Sequence, residues 1–187
     1  MANTDAAFGL KAIGKVGQNR DNQGLSEYSI AASATAIYQW DPVEMAATGT
    51  ITVAAATDTL LGSINGVFYT DASTSKPTWA NHLNASNTAT DIVGFVHDDP
   101  YERFEIQSDA ALTAAEVGMN ADIVYAAGST PNYISKVELD HSDLKTATAQ
   151  LRVIGISKDP KNNEAGAADV NAVVIINEHF LKGTVGI

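Results

Sequence analysis

Turn signals recur so closely along this chain that no stretch is left for a helix of three turns. Asp41–Pro42, Gly62, Gly66, Asp98–Asp99–Pro100 and Gly118 interrupt it, as does the loop "KDPKNNEAGAA". Between them lie short runs rich in β-branched and aromatic residues. In "GTITVAAATD", Ile51 and Val53 fall on one face and Thr50 and Thr52 on the other. "LLGSINGVFYTD" is an apolar run whose two glycines predict a bulge or tight bend. "SEYSIAASATAIYQW", "DIVGFV", "YERFEIQ", "NADIVYA", "QLRVIGIS" and "DVNAVVIINEHF" read as further strands. Thr113 and Glu116 have capping-box spacing, and Gly118 stops that segment after one helical turn. "ASTSKPTWANHLNASNTAT" reads as a surface loop with Trp79 folded back on the body. Roughly ten short strands separated by turns predict an all-β sandwich or barrel.

The 187 residues suit one domain. The start differs from the rest. Gly9, Gly14, Gly17 and Gly24 come too often for a helix or a strand, while Phe8, Leu10, Ile13 and Val16 are apolar enough to anchor. Residues 1–27 are therefore expected to form an extended arm, ordered by docking, and residues 28–187 a single β domain. The charge divides at the same place. Lys11, Lys15 and Arg20 balance Asp5, Asp21 and Glu27, so the net charge of −11 resides in the body. That charge argues against direct contact with nucleic acid. There is no cysteine, which excludes thiol nucleophiles and zinc–thiolate sites. The opening "MANTDAAFGLKAIG" lacks signal-peptide character, and no run of about 18 apolar residues predicts a membrane span.

The densest chemistry lies in "FVHDDPYERFEIQSD", residues 95–109. His97, Asp98 and Asp99 invite a metal or acid–base reading. Adjacent aspartates on an extended backbone diverge, however, and Asp-Asp-Pro is turn chemistry. Phe104 and Ile106 share one face of the following strand; Arg103, Glu105 and Gln107 share the other. Burying Phe104 is worth about 1.5–3 kcal/mol, against about 0–1 kcal/mol for an exposed ion pair. The expected structure is a hairpin whose charges face outward.

Of the other histidines, His82 has no partner at helical spacing, His141 sits in a polar turn, and Glu178–His179 is expected at the exposed end of a strand. "HExxH", "GxSxG", a P-loop and a strand-linked "GxGxxG" are all missing. Asp159, Asn162, Asn163, Glu164 and Asp169 offer calcium-type oxygens without EF-hand spacing, so an asparagine-rich turn is expected. Asn84–Ser86 is a formal glycosylation sequon. No catalytic, cofactor-binding or metal-binding residue is assigned, and the chain is expected not to be an enzyme. With 45% hydrophobic and only 18% charged residues, the surface suits broad contact with other proteins.

"NTDAAFGLKAIGKV", "YSIAASATAIYQWDPV", "LLGSINGVFYTD", "FVHDDPYERFEIQSD", "AEVGMNADIV", "QLRVIGIS" and "DVNAVVIINEHF" stand in an order that resembles the head decoration (cement) proteins of tailed bacteriophages. The resemblance runs from about residue 3 to residue 181. It implies a virion structural protein on the outer capsid surface, with the major capsid protein as partner and no cofactor. It also implies a homo-oligomer, trimers being common, that braces joints between capsid subunits. The glycine-rich opener departs from the proline- and arginine-bearing openers of that family. On this reading Phe8, Leu10, Ile13 and Val16 anchor the arm on a neighbouring subunit, and deleting residues 1–20 leaves the body folded. The alternatives are a minor tail or fibre-associated β module, or a glycan- or calcium-binding module for host attachment. The last needs Trp40, Trp79 and the 159–169 loop to converge on one face.

Overall fold

The computed structural model of the chain describes residues 3–17 and 24–183. Its strands are β1 (Lys11–Lys15), β2 (Ser26–Ser29), β3 (Pro42–Met45), β4 (Ile51–Val53), β5 (Leu60–Thr70), β6 (Pro77–Ala80), β7 (Val93–His97), β8 (Glu102–Gln107), β9 (Asn120–Ala121), β10 (Ile123–Val124), β11 (Glu138–Leu139), β12 (Leu151–Ile156) and β13 (Asn171–Ile176). Three single 3-10 turns are the only helical elements among the described residues. One of them, Ala114–Glu116, carries the expected capping box on Thr113.

The fold is all-β. One sheet has the order β1-β8-β13-β12-β9, a second β2-β7-β5-β3-β4 with β6 also on β5, and β10 pairs β11 in a ribbon. The three antiparallel sheets pack together as in a sandwich. Each large sheet has its own buried cluster. Phe104, Ile106, Leu151, Val153 and Val174 belong to the first, and Val43, Ile51, Ile64, Val67 and Val96 to the second. β5 divides the two. Successive strand residues point to opposite faces, so Leu60 enters the first cluster and Leu61 the second. The bulge expected from its glycines lies between Ile64 and Gly66 on the β7 side. At Gly62 any side chain would collide with the His97 carbonyl.

The structure corrects several expectations. β7 and β8 are not a hairpin. β7 lies in the second sheet and β8 in the first, so Asp98–Tyr101 is a corner between sheets. A tight turn looks the same in sequence whether its strands pair or part. Nor does the outer face of β8 meet solvent. Glu105 and Gln107 are buried with Phe104 and Ile106, because the N-terminal segment and the 157–162 loop cover them. β6 crosses what reads as a polar loop.

The described part of the expected arm is integral to the body. β1 pairs β8, and β2 pairs β7, so the boundary at residues 27/28 does not separate arm from domain. Ahead of β1, the Thr4 N–H donates to Asn162 Oδ1 (3.0 Å) and the Ala6 N–H to Gln107 Oε1 (2.8 Å). Gly9 adopts φ +77°, and a Cβ there would strike the Trp40 carbonyl and Ser135. Close approach, not flexibility, explains that glycine.

Candidate interaction surface

The four expected anchors separate. Leu10 is completely buried in the chain's own core, which removes it as a contact for another molecule. The Ser63 hydroxyl donates to its carbonyl. Phe8 is half-buried, edge-on to Trp40 with centroids 6.3 Å apart. Ile13 and Val16 are exposed, at 43% and 48%.

Val16 lies at the corner between the sheets. Its N–H donates to the Tyr101 carbonyl at 2.8 Å. Tyr101 is 62% exposed, and the Lys182 ammonium stands 4.4 Å from its ring centroid. Leu181, next in chain, is half exposed. Tyr101 carries no signal in the sequence that marks it as a neighbour of Val16.

The charged corner residues serve the fold. The Lys15 ammonium sits 2.7 Å from Asp99 and, as the largest influence, lowers that carboxyl's pKa. Asp99 also accepts from the Tyr101 N–H at 2.7 Å, closing the turn. The Tyr28 hydroxyl donates to Asp98 at 2.7 Å; burial, then the Asp98 bond, raises the tyrosine's pKa. Burial lowers the His97 pKa, with Asp98 opposing. No group of three or more His, Cys, Asp or Glu side chains is placed to hold a metal ion among the described residues.

The other candidates also have structural roles. Asn162 is buried, and its amide donates to the Thr4 and Asp169 carbonyls at 2.9 and 3.0 Å. The 159–169 loop thus clasps the N-terminal segment. Trp40 packs with Phe8, whereas Trp79 packs at a tilt of 39° against Phe95, centroids 4.4 Å apart, while remaining 60% exposed, less tucked in than expected. His82 stacks on Tyr133 at 3.6 Å. His141, in its polar turn, is part-buried 3.2 Å from Glu116. His179 lies buried, not at an exposed strand end: it bridges to Leu60 in register and accepts the Leu181 N–H.

On the outer face of the first sheet, Ile13, Arg103, Glu105, Ile156, Lys158 and Val173 contribute to a groove of about 510 Å³.

Fold and surface together define an all-β protein with an exposed aliphatic–aromatic corner and a groove lined by aliphatic side chains and charges of both signs. Comparison with family models, curated proteins and solved structures finds no match to any of them.

Proposed function

We propose that this chain is a virion structural protein that binds the outside of a tailed-phage capsid and braces contacts between major capsid subunits. The observation that supports this reading is the corner of Val16 and Tyr101, each more than two-fifths exposed and joined by a backbone hydrogen bond on a framework of paired strands. Exposed large apolar side chains on a rigid frame suit docking to another protein. A molecule bound across two or three subunits stabilises the closed shell, because its contacts must be lost before the shell opens. A homo-oligomer, with a trimer favoured, would present several such corners at one joint.

The test adds purified chain to expanded heads that lack it and counts bound copies. Decoration predicts copies on the order of hundreds per particle, whereas about a dozen or fewer places the chain near the tail. Val16→Asp with Tyr101→Asp should cut occupancy by about tenfold while leaving the melting temperature near wild type. Undiminished occupancy of the double variant overturns the role of the corner, and no binding by the wild-type chain overturns the capsid reading.

A further inference from the structure

Trp79 of β6 is 60% exposed. It stands opposite Phe68 of β5, with ring centroids 6.5 Å apart, and reaches over β5 to Phe95 of β7, 4.4 Å away. Gly66 is the β5 residue opposite Phe95, so no side chain separates those two rings. On its other side Phe95 faces Glu27 of β2. Residues directly opposite in an antiparallel pair share a face, with Cβ atoms about 4.5–5.5 Å apart. Val67 and Val96, which alternate with Phe68 and Phe95, point into the core. The outer face of the second sheet therefore carries an aromatic shelf bordered by a carboxylate.

Glu27 is exposed, and its carboxylate makes no hydrogen bond or ion pair among the described residues. Alternation places Ser29, Thr70, Pro77, Val93 and His97 on the same face. Burial lowers the His97 pKa, so that ring is uncharged at neutral pH. The charge on this face of the four strands is thus of one sign. Lys76 lies three residues before Trp79, about 10 Å along the strand. At that end Asp71 donates its N–H to the Lys76 carbonyl, and the Asp91 carboxylate accepts the Thr70 N–H at 3.1 Å, so acids outnumber the lysine there too.

We propose that this shelf docks an arginine side chain of a partner protein, the guanidinium stacked on Trp79 and Phe95 and its fork on the Glu27 carboxylate. The ring faces attract a cation, and Glu27 supplies the opposite charge. Arginine, planar and weakly hydrated, meets both at once, whereas a lysine ammonium has no plane to stack. A neutral sugar ring also stacks on indole but leaves the Glu27 charge unmatched. β6 pairs only β5 among the described strands, so an extended segment carrying the arginine can lie along its other edge. The inference stands apart from the capsid reading, because the isolated chain tests it.

The experiment follows the Trp79 indole N–H and the Glu27 carboxyl carbon by NMR in the full chain at about 0.15 M salt. The probes are acetyl-Thr-Arg-Thr-amide, the same peptide with lysine or citrulline in place of arginine, and methyl β-glucoside. The arginine peptide should shift both signals saturably in the millimolar range, and bind at least about threefold more tightly than the lysine or citrulline peptide. Glu27→Gln, an exposed change that spares the fold, should reduce arginine-peptide binding to the citrulline-peptide level. Trp79→Ala should remove the saturable shift at Glu27. No saturable shift by ~50 mM arginine peptide overturns the proposal, as does undiminished binding by Glu27→Gln. Equal binding of the arginine and lysine peptides also overturns it, marking general attraction to an acidic surface. So does methyl β-glucoside binding as tightly as the arginine peptide, which would mark a sugar shelf.

Discussion

His179 makes the fold sensitive to acid. The ring is 2% exposed. Its Nδ1 accepts the Leu181 N–H at 3.1 Å, which places the neutral ring's proton on Nε2, an atom that makes no well-formed hydrogen bond among the described residues. Protonation would put a hydrogen on Nδ1, break that bond and charge a buried group. Burial, aided by the Lys182 cation and opposed by Asp98 and Asp99, holds the pKa down at about 4. The folded state thus binds this proton less readily than the unfolded chain, whose histidine titrates near 6.5. The stabilisation is complete above pH 6.5 and is lost as pH falls toward 4. A tenfold change in proton affinity corresponds to about 1.4 kcal/mol, so the full loss is about 3 kcal/mol, of which about 2.5 has occurred by pH 4.5. Urea unfolding at pH 7.5 and 4.5 measures it. Because carboxylates titrate in the same range, the informative quantity is the pH-dependent change in wild type minus that in His179→Gln. The variant should retain about 2.5 kcal/mol more of its own neutral-pH stability at pH 4.5. A difference below about 0.5 kcal/mol would refute the reasoning.

Two further outcomes follow from the described contacts. Asp41 is fully buried and accepts the Tyr38 N–H, and burial raises its pKa to about 6. Its contribution has the opposite sign, fullest below pH 3.8 and lost as pH rises through 6, so Asp41→Asn should steepen the net acid loss measured by the same unfolding experiment. Deleting residues 1–16 removes Leu10 from the core and β1 from the sheet. It should cost at least about 3 kcal/mol in urea unfolding, not leave the body intact.

Local order was legible in the sequence where one face or one turn decides it. Alternation around Ile51, the glycine-marked bulge in β5, the Thr113 capping box and the inward Phe104 and Ile106 all depend on near neighbours. What the sequence left hidden depends on distant ones. The Asp98–Pro100 turn gives no sign that its two strands enter different sheets. The burial of Glu105 follows from Ser157 and Asn171, more than fifty residues away. β6 escapes a polarity reading because Pro77 and small polar neighbours disguise an edge strand that pairs only β5. The glycines of the first segment suggested an arm, yet Gly9 answers to Trp40 and Ser135. At the candidate surface, Ile13 and Val16 were visible as apolar residues. That Tyr101 joins Val16 required the fold.

The pairing of β1 with β8 sets an order of events as the chain grows. Lys11 faces Glu105 across the sheet, so β1 finds its partner only after the strands of the second sheet have been made. Residues 26–97 supply every strand of that second sheet and can assemble while the opening segment still lacks its site. Closing so long a loop costs entropy before any contact repays it. The first strand therefore docks late, and until it does β8 presents a bare edge to other nascent chains.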